Sequence, residues 1–244
     1  RSTVCDRNFA LYSLELQNVT GGATGATGTT DNPPPPPPPP PNDPGNVGWK
    51  ADAENTNILG ASGEWSAYSC ENSTRFSQVM TRNQGQRAYR IEVRDGDNSY
   101  GERCELSQGN TSSSNIVSSR LYAQGQERWI VFQYFLPVDY AFKQDCSNVS
   151  VCFDGGLITQ QKQLGSCGVP AGGLLAAKDK IQYRVSGNNT CDGANYLRTV
   201  FAFPTKLGVW VKVVWRIRFS TGTDGLIEMW KDDDGNSTTD LESL

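Results

Sequence analysis

The 244-residue sequence contains no histidine, so an imidazole general base is excluded. No apolar run approaches the ~20 residues that span a bilayer, and no segment has the periodicity of a long amphipathic helix. The 26 acidic residues outnumber the 22 basic ones and give a net charge of −4, whereas nucleic-acid binding requires a basic face. These absences predict a chain without a membrane span and without nucleic acid as a partner.

Alternation of apolar and polar residues is the dominant pattern in the sequence. In the run Val209 to Phe219 every second side chain is apolar, and Arg87 to Arg94 repeats the pattern. Trp129 to Leu136 is continuously apolar, which is typical of a central strand. Many strands separated by turns predict an all-β fold, an antiparallel sandwich or jelly roll. Further strands are predicted at Phe76–Thr81, Leu157–Lys162, Ile181–Val185, Tyr196–Phe203 and Leu226–Trp230.

The first fifth of the chain differs from the rest in composition. We divide the sequence into an N-terminal arm (residues 1–20), a Gly/Thr and polyproline linker (residues 21–45) and a β-domain (residues 46–244). Asn8 to Gln17 alternates like a half-buried strand but has no local partner. Nine consecutive prolines predict a polyproline II rod of roughly 28 Å. We expect such an arm to reach another copy, and the alternative is that it pairs with an edge of its own domain. Its candidate assembly residues are Cys5, Phe9, Ala10, Leu11, Tyr12, Leu14 and Leu16.

Several features are typical of a secreted glycoprotein, and Arg1 is expected to be the terminus of a processed chain. Seven cysteines predict disulfides formed in an oxidising compartment. The pairs we favour are Cys70 with Cys104, Cys146 with Cys152 and Cys167 with Cys191, although sequence does not fix the connectivity. Cys5 is left for a neighbouring copy or as a free thiol. Six sequons are candidate N-glycan sites, namely Asn18, Asn72, Asn110, Asn148, Asn188 and Asn236. O-linked sugar is expected on the prolines Pro33, Pro34, Pro35, Pro36, Pro37, Pro38, Pro39, Pro40 and Pro41.

Three segments resemble motifs of the polysaccharide lyases of the alginate lyase, heparin lyase I and glucuronan lyase type. Their order and spacing along the chain also agree with that group. The first is Arg103-Cys104-Glu105-Leu106, similar to an Arg-(Thr/Ser)-Glu-Leu strand of that group. The second is Ile158-Thr159-Gln160-Gln161-Lys162, in the place of a Gln-Ile-His strand. The third is the pair of strands within Gly208 to Ser220 and Asp224 to Gly235. The resemblance spans roughly Trp49 to Asn236 and implies a concanavalin-like β-jelly roll.

The resemblance also implies β-elimination on a uronic acid polymer, in which a carboxylate is neutralised and a base removes the C5 proton. Arg103 and Gln160 match the neutralising positions of the family. Lys162 stands where histidine is expected, and a lysine base needs a lowered pKa. The family's later strand with a catalytic tyrosine does not follow in this sequence, so Tyr183 and Tyr196 become acid or base candidates beside Lys162. The predicted sugar groove comprises Arg103, Glu105, Gln160, Lys162 and Trp210.

The histidine and the tyrosine strand of the family are missing from this sequence, and a long arm is present. Together these features favour one of three functions. The preferred hypothesis is an extracellular structural protein, a degenerate lyase-like domain that donates its arm as a strand to the next copy and so polymerises into a fibril. The alternatives are a polyuronate lyase and a non-catalytic carbohydrate-binding module. The expected partners are copies of the chain and covalent glycans, and we expect neither a cofactor nor a metal.

Overall fold

A computed structural model describes residues 7–18, 47–60, 63–80, 87–99, 103–108, 125–142, 156–162, 170–177, 179–187, 196–218, 220, 223–234 and 241–244. Within these ranges the chain forms strands and a single 3-10 turn, Ser73–Arg75. The strands are β1 (Arg7–Asn18), β2 (Val47–Ala51), β3 (Ala67–Ser69), β4 (Phe76–Met80), β5 (Arg87–Val93), β6 (Glu105–Ser107), β7 (Glu127–Phe135), β8 (Gly156–Lys162), β9 (Pro170–Ala176), β10 (Lys180–Gly187), β11 (Tyr196–Pro204), β12 (Trp210–Arg218), β13 (Leu226–Asp232) and β14 (Glu242–Ser243).

The strands form antiparallel sheets, as the alternation in the sequence predicts. The large sheet has the order β14-β13-β12-β7-β1-β5-β4, with β2 paired to β1 beside this path. A four-stranded sheet has the order β11-β10-β9-β8, and β3 pairs with β6. The all-β sandwich of jelly-roll type is therefore confirmed.

The core lies between the large sheet and the four-stranded sheet. Each strand contributes alternate side chains to it, because successive side chains point to opposite faces. Trp215 of β12 joins the two layers: its ring lies 6.1 Å from that of Phe132 in β7 and 5.8 Å from that of Tyr183 in β10. All three side chains are almost completely buried.

A second apolar cluster covers the opposite face of the large sheet. Trp129 and Val131 of β7 pack there with Val214 of β12 and Trp230 of β13. The two tryptophan rings are stacked with their centroids 5.4 Å apart. Strand β7 thus has apolar neighbours on both faces, which explains its continuous apolar run and confirms the predicted central strand.

Strand β1 lies inside the sheet of its own chain. One side pairs with β7 from Ala10 to Asn18, and the other pairs first with β5 and then with β2. In the structure the arm therefore pairs within its own chain, which was the alternative expectation, although it lies inside the sheet and not at an edge. Its alternation fits the position between β5 and β7, where the backbone groups of both neighbours would otherwise be unpaired. The side chains of β1, Cys5 and the proline run lie outside the part of the chain that the structure describes.

A buried carboxylate fixes the loop that follows β2. Glu64, only 6% exposed, accepts hydrogen bonds from the backbone N–H groups of Ala53 and Asn55, both at 3.0 Å, and from the Tyr89 hydroxyl. Its backbone carbonyl accepts from the indole N–H of Trp49 at 3.0 Å. Burial raises the pKa of Glu64, although these hydrogen bonds act in the opposite direction. The sequence gives no sign that this glutamate is buried.

Candidate functional site

The four-stranded sheet presents polar side chains on its outer face. In β10, Ile181 and Tyr183 point into the core, so Gln182 and Arg184 point away from it. Cross-strand pairing places Gln160 of β8 opposite Gly173 of β9, and Gly173 opposite Arg184. Because opposite residues share a face, Gln160 and Arg184 lie in one row on the outer face.

Gly173 separates the two functional side chains of this row, and the side chain of Leu157 packs over it. Two strand spacings put the Cα atoms of Gln160 and Arg184 about 10 Å apart. A Cβ atom at Gly173 would lie 2.8 Å from a methyl group of Leu157, so a larger residue does not fit there. The amide of Gln160 and the guanidinium of Arg184 therefore flank a shallow surface, called the notch below, whose floor is the Leu157 methyl group over Gly173. Thr199 of β11 continues the row beside Arg184.

Arg184 is held in place by its neighbour on the same strand. The carbonyl oxygen of the Gln182 side chain accepts hydrogen bonds from Nε at 2.9 Å and from Nη2 at 2.5 Å. Gln182 is itself buried, which fixes the acceptor and hence the plane of the guanidinium. Burial lowers the pKa of Arg184, yet a guanidinium remains charged in proteins. The notch is therefore a fixed site of positive charge.

Tyr183 does not face this notch, which corrects its assignment as an acid or base candidate. Its side chain is 2% exposed, and its hydroxyl donates a hydrogen bond to Oε1 of Gln161 at 2.9 Å. Gly172 makes room for this pair, because a Cβ atom there would lie 2.5 Å from the tyrosine oxygen. The phenol is thus a structural group of the inner layer.

Strand β8 also departs from the simple alternation that places Gln160 and Lys162 on one face. Its register with β9 shifts between Leu157 and Thr159 and again between Gln161 and Lys162. Gln160 and Gln161 still alternate, so Gln161 reaches Tyr183 on the inner side, and the second shift separates Lys162 from this pattern. The side chains of Lys162 and Tyr196 lie outside the described residues, so their predicted roles are not tested by the structure.

Arg103 and Glu105 form the predicted pair at the start of β6. A guanidinium nitrogen lies 3.6 Å from a carboxylate oxygen, and the two side chains are 55% and 34% exposed. An ion pair at this exposure contributes little to stability. Because both side chains are partly exposed, a ligand can reach them. The structure does not bring this pair together with Gln160 in one sheet, since β6 pairs with β3.

The disulfide Cys70–Cys104 is confirmed and anchors this segment. It joins the residue after β3 to the residue before Glu105. The other two predicted disulfides, Cys146–Cys152 and Cys167–Cys191, lie outside the described residues.

We expect the double substitution Cys70→Ala and Cys104→Ala to lower the free energy of unfolding by about 3–4 kcal/mol. The closed loop spans a sequence separation of 34, and its closure removes entropy from the unfolded chain. Urea unfolding followed by tryptophan fluorescence measures the change. A loss below about 1 kcal/mol would mean that the strand pairing of β3 with β6 alone fixes the segment.

Trp210 lies elsewhere than the predicted groove. It pairs with Phe135 on the outer face of the large sheet, whereas Gln160 is on the outer face of the four-stranded sheet. The core separates these two faces. Trp210 therefore does not line the same site as Gln160, because alternation from the buried Val211 sends it to the opposite side of the sandwich.

Asn72 is the one sequon asparagine whose side chain falls in the described part of the chain. It is exposed, and its Oδ1 accepts a hydrogen bond from the backbone N–H of Thr74 at 3.0 Å at the start of the 3-10 turn. An N-glycan bonds to Nδ2, so this cap and a glycan are compatible. Asn18 has only its backbone described, and the other four sequon asparagines lie outside the described residues.

Gln182 and Arg184 are the site residues that sequence reasoning missed. The signal was available, because alternation with Ile181 and Tyr183 places both on the polar face of β10. Within the described ranges no group of acidic, cysteine or histidine side chains is arranged to hold a metal ion. The same residues include no helix that is long and apolar enough to cross a membrane.

Comparison with known families agrees with the motifs. A family model described as polysaccharide lyase matches residues 57–242, which include β3 to β13 and hence both faces of the sandwich. Comparison with curated proteins and with solved structures returns no significant match. Since the matched region covers most of the sequence, the chain belongs to the polysaccharide lyase family.

Proposed function

We propose that the chain binds an acidic polysaccharide on the outer face of the four-stranded sheet and cleaves it by β-elimination. The observation that carries the proposal is the row of Gln160 and Arg184 on either side of Gly173. A guanidinium and an amide are suitable donors for a carboxylate. Family membership supplies the substrate class, a polymer of uronic acids.

The chemistry follows from neutralising the uronate carboxylate. Hydrogen bonds from Arg184 and Gln160 stabilise the negative charge that develops on the carboxylate as C5 loses its proton. The electron pair of the C5–H bond forms the C4–C5 double bond, and the C4–O bond to the leaving sugar breaks. Because Gln182 already holds Arg184, little reorganisation is needed when the charge develops.

The base must be a residue other than histidine, which the sequence lacks, and Tyr183 is buried. Lys162 and Tyr196 remain as candidates. Lys162 is two residues from Gln160, beyond the second register shift of β8, and Tyr196 starts β11 at the edge of the same sheet. Substituting Lys162→Met and Tyr196→Phe separately is expected to identify one of them by loss of turnover with binding retained.

The direct test is the ultraviolet absorbance of the unsaturated product formed from glucuronan, alginate or heparin. We expect turnover on at least one of these polymers and its loss in Arg184→Ala. Binding without any product would favour a non-catalytic carbohydrate-binding module. Absence of both binding and turnover on all three polymers would contradict the proposal.

A second candidate function is self-assembly of a secreted, glycosylated chain into a fibril through β1. It is favoured by the connection between β1 and β2. These strands pair with each other, and Gln17 lies opposite Val47, yet residues 19–46 join them. In a β-hairpin, about two to five residues are enough to join two paired strands. The disulfide and the exposed Asn72 sequon support an extracellular location.

The composition of this connection favours exchange of β1 between copies. Its nine prolines predict a stiff rod of roughly 28 Å, whereas the strand ends that it joins lie about 5 Å apart. With the Gly/Thr-rich residues beside it, the rod gives the connection a reach beyond its own sheet, so the position between β5 and β7 can also be filled by β1 of another copy. Head-to-tail exchange that does not close generates a filament.

Shortening the connection tests this second function. Replacing residues 19–46 with a two-residue Asn-Gly turn should lock β1 onto its own β2 and give monomers, while the natural chain forms polymers. Electron microscopy and light scattering distinguish the two results. Deleting β1 is a poorer test, because it would open the centre of the large sheet. Equal polymerisation of the short-loop variant would rule out strand exchange.

A further inference from the structure

Trp210 and Phe135 form an aromatic pair on the outer face of the large sheet. They are direct partners in the pairing of β12 with β7, and their ring centroids lie 5.5 Å apart. Both side chains are half-buried, so part of each ring reaches the surface. Among the side chains of this face that the structure describes, Trp129 and Trp230 are aromatic too, and both are buried in their own cluster. The Trp210 pair is thus a partly exposed aromatic surface.

Two exposed aliphatic residues lie at the same end of these strands. Val138 is 77% exposed, and Leu207 is 36% exposed. Gly208 brings their loops together: its N–H donates to the carbonyl of Leu136 at 2.7 Å, and a Cβ atom on it would lie 2.7 Å from Val138. Its φ of +73° is favoured for glycine. The end of the sheet therefore carries a small apolar patch.

Hydrogen-bonding groups lie in the next row of the same face. Gln133 of β7, Lys212 of β12 and Asp232 of β13 are successive cross-strand partners. They provide an amide, an ammonium and a carboxylate, and the last two balance in charge. Further along the face, Arg216 and Arg218 are engaged by Glu127 at 2.6 and 3.0 Å. The surface beside the aromatic pair is consequently polar, and Asp234, which contacts Asp232, adds a negative charge to it.

We infer that the Trp210–Phe135 surface is a second carbohydrate site, which takes an uncharged stretch of pyranose rings. A sugar ring offers an apolar C–H face to an indole and hydroxyl groups to the amide, ammonium and carboxylate of the adjacent row. Four apolar residues are far fewer than the roughly 20–30 residues a side of a stable protein interface, so a protein partner fits less well. The class of ligand rests on the proposed function.

This second surface gives the domain a way to hold a polymer independently of the notch at Arg184. The two sites lie on opposite outer faces of the sandwich, separated by the core. The Arg184 site binds through positive charge, and the Trp210 surface binds through ring stacking. A long or mixed polysaccharide can then be retained at the Trp210 surface while an acidic segment occupies the other face.

The test uses cellohexaose, a neutral oligosaccharide of β-1,4-linked glucose, as the probe in isothermal titration calorimetry. We expect Trp210→Ala to weaken its binding about tenfold or more and Trp210→Phe to restore part of it. Arg184→Ala should leave this binding unchanged. If cellohexaose binding depends on Trp210 but the chain turns over none of the polyuronates, the lyase proposal is contradicted and this inference is supported.

Two results would overturn the inference. One is absence of cellohexaose binding by the natural chain, or binding that Trp210→Ala does not alter. The other is a change in molar mass on Trp210→Ala, measured by light scattering, which would identify the patch as a contact between copies. Thermal unfolding of both variants controls for loss of fold, and Trp210→Phe keeps the test informative if the alanine variant is unstable.

Discussion

Arg184→Ala is expected to lower kcat/KM on the preferred polyuronate about 100- to 1000-fold. Removing a fixed donor from a site where negative charge develops has an effect of that size in other enzymes. Most of the loss should fall on kcat, because the charge on the carboxylate oxygens increases in the transition state. Initial rates of product absorbance over a range of polymer concentrations separate kcat from KM.

Two further variants show whether the loss of turnover in Arg184→Ala comes from the lost guanidinium geometry or from the lost positive charge. Arg184→Lys keeps a positive charge but loses the planar fork that Gln182 orients, so an intermediate loss is expected. Arg198→Ala removes an exposed arginine from β11, on the same sheet but outside the row, and should leave turnover unchanged. If Arg198→Ala reduced turnover as much as Arg184→Ala, only the overall charge of the sheet would matter.

The large strands are predictable from sequence because their periodicity is strong. The run from Val209 to Phe219 and the apolar run from Trp129 became the adjacent strands β12 and β7. Strand β9, with the segment Pro170-Ala-Gly-Gly-Leu, was missed, since glycine and proline are typical of turns. Its glycines instead serve close packing: Gly172 admits the Tyr183 hydroxyl, and Gly173 admits a methyl group of Leu157.

Contacts between distant segments explain what sequence reasoning could not place. Alternation puts Trp210 on a polar face, but it does not say which sheet that face belongs to. Register shifts in β8 interrupt the expected pairing of Gln160 with Lys162, and bulges of this kind leave no clear pattern in a single sequence. The position of β1 depends on the unfilled space between β5 and β7, which only the assembled sheet defines.

The burial of Glu64 also depends on contacts between distant segments and is not visible in the sequence. Its replacement should have the largest effect on the free energy of unfolding. Glu64→Ala is expected to lower the free energy of unfolding by about 5 kcal/mol, because it leaves the N–H groups of Ala53 and Asn55 and the Tyr89 hydroxyl without their acceptor. Ala53 and Tyr89 are completely buried, and each costs about 1–3 kcal/mol when it loses its acceptor, whereas the part-buried N–H of Asn55 costs less. Urea unfolding followed by tryptophan fluorescence reports the loss, since Trp49 and Trp65 pack beside this group.

Conservative variants keep the prediction testable if Glu64→Ala does not fold, since domains commonly have only about 5–15 kcal/mol of stability. Tyr89→Phe removes one donor and leaves the carboxylate bound to both backbone N–H groups, so a loss of about 1–2 kcal/mol is expected. Glu228→Ala is the matched control, because that glutamate is 40% exposed and its ion pair with Arg216 should contribute at most about 1 kcal/mol. Equal losses for Glu64→Ala and Glu228→Ala would show that the buried carboxylate does not organise the loop after β2.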